Sequence, residues 1–382
     1  MSIYASTGYY GTTNFQHLGS DSRFFSGDEL LTDEEDSPAS LQRSQSTLIT
    51  GVEETRNPVA INSCGEIWRL KALSNGKVAT ASYDHWTRLH KIETLGEHEY
   101  GQTVQSLSKA RKAALCLLSL SDGTFLSGSA DRSITHYSPD GAVLSMMKDR
   151  TGNGIYSLAK ISDTSIATGE CHNQKKGEKL NHKIKIWDIT SKRVTQFWNA
   201  HFGGISNLSK LDDFTLASAS GDGAVCTWDL RTQEQTSISK FHTDYVYAMT
   251  QPDTNVLLSG GRDRRIQHLD LATLTPSLLI DLERSAHEST VYDLQSLDPV
   301  TAVSASRDRT VKVWDLRSRS VAQHIDVNDG YVYSAAFTPD GTKIVAGTSG
   351  ESVSIIKGKK AAAQIRQEVK KSGQLHVIDR RV

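Results

Sequence analysis

One pattern recurs along this chain, and its clearest copy runs from His287 through Val291 and the strand-like Thr301–Ser306 to Asp308, then into Val311–Arg317. Each copy is a short apolar strand, a tight Gly-, Asp- or Asn-containing turn and a second alternating strand. Such a unit cannot bury its own apolar face, so its copies must stack on one another around an axis. Alignment on the position of Trp314 gives the candidates His90, Tyr137, Trp187, Trp228, Leu269, Trp314 and Ile378. Most successive spacings are about 40 to 50 residues, the period of a four-stranded repeat.

Three copies end in Trp-Asp after an alternating strand: Trp187-Asp188, Trp228-Asp229 and Trp314-Asp315. On these residues the chain resembles the WD40 repeat family, over about residues 55–380. The resemblance implies an all-β fold, a seven-bladed β-propeller. It also implies a polar network joining His201, Ser218 or Ser220, Asp222 and Trp228 in the fourth copy, and His287, Ser304 or Ser306, Asp308 and Trp314 in the sixth. The network makes physical sense: a carboxylate accepts from an imidazole, the imidazole meets a hydroxyl, and an indole N–H completes the chain. A Ser/His/Asp set repeated at matching positions reads as scaffolding, since nucleophilic catalysis needs one oriented set beside an oxyanion site. No catalytic residue is expected. His242 and Asp263 persist in the fifth copy, where Leu269 replaces Trp, while His90 and Tyr137 hold that position in the first two. Those blades are expected to lose the indole bond and keep apolar packing.

The third copy is interrupted at about residues 171–183 by a segment carrying Lys175, Lys176, Lys179 and Lys183, read as a surface loop between its second and third strands. Cys171, His172 and His182 in and beside it lack zinc-site spacing. In the last copy, Tyr331–Phe337 and Lys343–Thr348 read as the first two strands. The third is expected at Gln374–Asp379, which imitates the surroundings of Trp314, and this leaves residues 351–371 as an insertion; Val353–Ile356 is the alternative. No fourth strand then remains before Val382. An N-terminal strand, Thr47–Val52 or Pro58–Ile61, is expected to complete the last blade and remove its exposed edge. Residues 1–45, acidic from Gly27 to Asp36 and poor in periodic apolar positions, read as a disordered tail, and residues 46–382 as the propeller.

The chain has 43 basic and 44 acidic side chains, so no global field draws it to nucleic acid; only the local clusters Lys175–Lys183, Lys357–Lys360 and Lys370–Lys371 keep that reading alive. It shows no basic leader and no run near the roughly 20 apolar residues a span requires, which points to the cytoplasm and also the nucleus. Cys64, Cys116, Cys171 and Cys226 are far apart without a CxxC pair and read as core fillers. Phosphate-loop, dinucleotide and metalloprotease motifs are missing, and neither cofactor nor metal is expected.

Binding is therefore the expected activity. Residues just before the repeated turn Asp, and shortly after the repeated His, should gather near the axis on one face: Tyr83, Asp244, Tyr245, Arg262, Arg307, Asp329 and Tyr331. Arginines that fork onto carboxylates or phosphates, beside tyrosines, favour an acidic or phosphorylated peptide from a protein partner within a multiprotein complex. Trp228-Asp-Leu-Arg231 and Trp314-Asp-Leu-Arg317 also resemble the WDxR pattern of propellers that dock to cullin-based ubiquitin ligases, which makes Arg231 and Arg317 an alternative docking pair.

Overall fold

The computed structural model describes residues 59–62, 65–95, 98–150, 152–171, 181–273, 275–278, 286–327, 329–350 and 352–357. The acidic tail, the lysines at 175, 176 and 179, and residues 358–382 lie outside these. All regular structure among the described residues is strand, in seven four-stranded antiparallel sheets. Six sheets are built in chain order, spanning 67–109, 114–148, 154–201, 205–239, 246–278 and 291–326 as blades 1 to 6. Blade 7 takes three strands from 332–357, and its fourth is Val59–Asn62, which pairs antiparallel with Ser352–Lys357. The first strand of each blade packs against that of the next, and the seventh against the first. The ring is closed.

This closure bears out the N-terminal strand but corrects the last blade. Its third strand is Ser352–Lys357, in register with Lys343–Thr348, so Ile356 and not Ile378 takes the position equivalent to Trp314. The 349–351 turn is as short as the 307–309 turn of blade 6, and a short closure outweighs the imitation at Gln374–Asp379, which lies outside the described residues. Residues 351–371 are therefore not a single insertion. In blade 3 the second strand ends at Cys171 and the third begins at His182, so residues 171, 182 and 183 of the expected loop belong to strands.

The apolar core lies between blades. Trp314 packs with Leu258 of blade 5, Trp228 with Ile184 of blade 3, Trp187 with Leu126 of blade 2, and Leu269 with Val225 of blade 4. A large apolar side chain at this position is thus what blades 2 to 6 each offer their predecessor, and Leu269 and Tyr137 meet the requirement without an indole.

Turn chemistry sets the register. In five blades the Asp between the second and third strands accepts through Oδ1 the amide two residues on: Trp86, Ser133, Ala224, Arg265 and Thr310, at 2.9–3.2 Å. The intervening residue is left-handed, with φ of 77° at His85, 73° at Arg132, 79° at Gly223, 66° at Arg264 and 67° at Arg309.

Candidate interaction face

The other oxygen of the turn carboxylate builds the polar network. His287 Nδ1 donates to Asp308 Oδ2 at 2.8 Å, and its Nε2 accepts from Ser304 Oγ at 2.6 Å; Trp314 Nε1 donates to the same Oγ at 2.8 Å. In blade 4 the chain is His201, Asp222, Ser218 and Trp228, at 3.1, 2.7 and 2.8 Å. The partners are therefore Ser218 and Ser304; Ser220 and Ser306 each cap the turn by accepting the Asp amide. Burial alone would push the Asp222 carboxyl up, yet the His201 hydrogen bond, the charge of His201 and two amides bring it down to about 2. Ser218 and Ser304 are fully buried, and each Oγ is held by both an indole and an imidazole. Neither serine can meet a substrate, which accounts chemically for a triad-like set that only braces the fold.

In blades 1 and 2 the indole bond is lost as expected, and another polar contact takes its place. His90 Nε2 lies 2.8 Å from Thr80 Oγ1, and the Tyr137 hydroxyl lies 2.5 Å from Ser108 and 3.3 Å from Ser127. Leu269 gives it up, leaving Ser259 with His242 at 2.8 Å, and Ile356 of blade 7 has no polar group to offer. Blade 3 keeps the indole bond, Trp187 to Thr168 at 3.1 Å. Beside it, Lys185 is buried against Asp149 and, at 2.5 Å, against Glu170.

Each first strand carries a bulge near its start, shown by register shifts between 67 and 69, 114 and 116, 155 and 157, 205 and 207, 246 and 248, 291 and 293, and 332 and 334. Five of the bulged residues are aromatic: Trp68, Tyr156, Tyr247, Tyr292 and Tyr333. Trp68 reaches Tyr333 at 5.1 Å and Tyr292 at 5.9 Å between ring centroids, and Tyr247 reaches Tyr292 at 5.4 Å. Blades 1 and 6 are not neighbours in the ring, so these side chains meet at its axis. Beneath them Arg69 donates to the carbonyls of Tyr292 at 2.9 Å, Tyr247 at 3.3 Å and Tyr333 at 3.4 Å. One guanidinium thus ties blade 1 to blades 5, 6 and 7. Burial raises the hydroxyls of Tyr156, Tyr247 and Tyr333, and that of Tyr292 to about 12, so all four remain protonated donors at neutral pH.

The sequence-named residues ring this aromatic centre at the strand ends where the turn Asp lies. The amides of Tyr83, Arg262 and Arg307 donate to the carbonyls of Glu66, Tyr245 and Thr290 at 2.8–2.9 Å, fixing each residue beside the start of its own blade's first strand. Tyr83 and Tyr331 are 40% and 39% exposed, and Tyr83 stands edge-on to Trp68. Arg262 pairs with Asp244 at 3.6 Å within blade 5, and Arg307 lies over the Tyr331 ring at 5.1 Å, bridging blades 6 and 7. Asp329 accepts from Thr348 Oγ1 at 3.2 Å. Arg231 and Arg317 follow the third strands, whose ends lie on the opposite face. Each is drawn onto its own Trp-Asp carboxylate, Asp229 at 2.6 Å and Asp315 at 3.3 Å, and Arg231 also covers Phe214. Among the described residues no group of three or more His, Cys, Asp or Glu side chains is arranged to hold a metal ion.

The face is lopsided. Blades 5, 6, 7 and 1 supply the rim tyrosines Tyr83, Tyr245 and Tyr331 and both arginines, whereas the equivalent rim positions of blades 2 to 4 are Ala113 with Ala130, Gly154 with Cys171, and Gly204 with Gly221.

A family model described as "WD domain, G-beta repeat" matches residues 280–315, the clearest sequence copy. The WD40 β-propeller domain of Doa1 superposes with a TM-score of 0.65 at 20% identity, covering 78% of this chain and 95% of that one. The chain has the seven-bladed β-propeller fold of WD40 domains. Among similar proteins, ribosome biogenesis protein YTM1 of Kluyveromyces lactis is 25% identical to this WD40 chain over 315 residues, 77% of it and 67% of YTM1. Mitochondrial division protein 1 of Saccharomyces cerevisiae is 29% identical over 182 residues, 37% of the chain; the match spans only a quarter of that relative's length.

Sequence reasoning about the WD40 repeats missed the axial aromatics and Arg69. The signal was present as a β-branched residue followed by an aromatic at the start of five first strands: Ile67-Trp68, Ile155-Tyr156, Val246-Tyr247, Val291-Tyr292 and Val332-Tyr333.

Proposed function

We propose that this propeller is a non-catalytic interaction platform that seats a segment of a partner protein across the axial opening. The observation that carries the reading is the crescent over blades 5, 6, 7 and 1, where Tyr83, Tyr245 and Tyr331, with Arg262 and Arg307, surround packed aromatic rings. Rigid aromatic area with polar tips beside guanidinium groups is the composition in which binding energy concentrates. The partner segment is proposed to be acidic or phosphorylated, because the partly exposed Arg262 and Arg307 carry guanidinium groups of the kind that fork onto carboxylate or phosphate oxygens. Two of the relatives are named for processes, ribosome biogenesis and mitochondrial division, which supports membership of a multiprotein assembly.

Affinity capture from cell extract tests this with the intact chain, Arg262→Ala/Arg307→Ala and Tyr83→Ala/Tyr331→Ala, all matched for melting. A partner set held by the native chain and lost from both variants is expected. The same set retained by both variants would sink the crescent as the binding surface.

A second reading concerns the opposite face. Arg231, with a 65% exposed side chain lying 4.7 Å over the exposed Phe214 ring, offers a cation–aromatic pair to a cullin-ligase adaptor. Adaptor capture that disappears with Arg231→Ala/Arg317→Ala is the expected result; failure to recover any adaptor rejects it.

A further inference from the structure

Several charged side chains on this surface are answered locally. Lys77 pairs with Asp140, Lys160 with Asp163, Lys210 with Asp213, Arg231 with Asp229, Arg262 with Asp244 and Arg317 with Asp315. A cavity of about 380 Å³ at the outer rim of blades 2 and 3 is different. It is lined by Arg111 and Lys112 ahead of blade 2, Arg132 in its Asp turn, Lys148 at the end of its outermost strand, and the backbone of Gly152 to Gly154 leading into blade 3. All four cations are exposed, and none makes an ion pair with a carboxylate among the described residues. Asp131, the one acid in the lining, is turned inward: Oδ2 accepts from the Arg111 amide at 2.8 Å, and Oδ1 accepts from the amide and hydroxyl of Ser133. The acids beneath, Asp149 and Glu170, are held by Lys185.

The cavity also leaves room for a ligand. Its wall is built from Ala130, Gly152 and Gly154, and a Cβ on Gly152 would strike Asp149, Lys185 and Glu170, so only bare backbone fits there. Four unanswered cations around a small-walled cavity match a compact, multiply charged anion. A phosphate monoester carries about −1.5 to −2 at neutral pH and three acceptor oxygens, against one charge for a carboxylate.

We infer that this cavity is an anion subsite that receives a phosphorylated side chain of the bound peptide. The inference rests on the peptide-face reading and extends it to an outer contact on the same face, with the small-residue sector of blades 2 to 4 as the path between.

Inorganic phosphate titrated into the intact chain reads the cavity directly through the amide resonances of Gly152, Asn153 and Gly154, whatever the axial crescent binds. Saturable displacement is expected, weakened about tenfold or more by Arg132→Gly/Lys148→Gln, which removes two of the four cations. Glycine suits the φ of 73° at Arg132, so this variant keeps the fold; Arg111→Gln/Lys112→Gln alters only exposed side chains and provides a second reading. Peptides carrying phosphoserine, glutamate or serine at one position then separate the sources, with phosphoserine preferred. An identical phosphate response in the native chain and both variants overturns the site. Equal binding of glutamate and phosphoserine overturns phosphate as its ligand, and cavity-dependent binding of a uridine homopolymer without phosphopeptide binding overturns the peptide.

Discussion

His90 occupies in blade 1 the position that holds an indole in blades 3, 4 and 6, and this exchange gives the fold a response to acid. Burial, and then the charge of Arg88, hold its imidazole down at about 4 from the usual 6.5. Between those values the unfolded chain carries the extra proton, so the stabilisation is complete above pH 6.5 and drains away as pH falls towards 4. A shift of this size is on the order of 3 kcal/mol. His90→Gln keeps a partner for Thr80 without titrating; denaturant midpoints measured from pH 7 to 4 should fall less steeply for the variant, and parallel curves would show that other histidines carry the effect. Gly152→Ala should destabilise by about 1–3 kcal/mol, since its methyl group must displace the buried Lys185–Asp149–Glu170 cluster. A thermal midpoint equal to the native one would mean that the segment yields without cost. The residue types of the network were legible because the same His, Asp and Trp return at matched spacings. Arg69 and Trp68 were not, because alternation fails at a bulge: Ile67 and Leu70 share the buried side although they stand three apart.

At the scale of elements, the first six blades were readable from turns and alternating strands, and the seventh was misread where two segments competed for one place. Gln374–Asp379 imitates a third strand in local sequence, but Ser352–Lys357 reaches its partner through a far shorter turn. The two registers make opposite predictions for truncation. A chain ending at residue 360 should melt like the intact one, because the described strands of blade 7 are complete by Lys357; a lowered and broadened melt would restore the C-terminal strand. Removing residues 1–62 takes away Val59–Asn62 and leaves Ser352–Lys357 as a bare edge, whereas removing residues 1–40 does not. Circular-dichroism melts of these two shortened chains should differ, with the longer deletion lower and less cooperative.

The described blades form a ring with their apolar packing between blades, so no blade is expected to open without weakening its neighbours. Cys116, Cys171 and Cys226 report this from blades 2, 3 and 4: all are buried, and burial raises each thiol to about 12, which suppresses the reactive thiolate. Labelling by an aromatic disulfide should proceed for all three at one common rate set by opening of the ring. Deleting residues 1–62 should accelerate all three together although none lies in blade 7; acceleration confined to one cysteine would show that blades open singly. The bulge near the start of every first strand has a different kind of consequence. It assigns the position that looks onto the axis to a residue the sheet ladder skips, so what the opening presents can change while strand pairing stays as it is. Heritable change and laboratory libraries alike can rewrite 68, 115, 156, 206, 247, 292 and 333 as a seven-letter word, on a frame that does not read it.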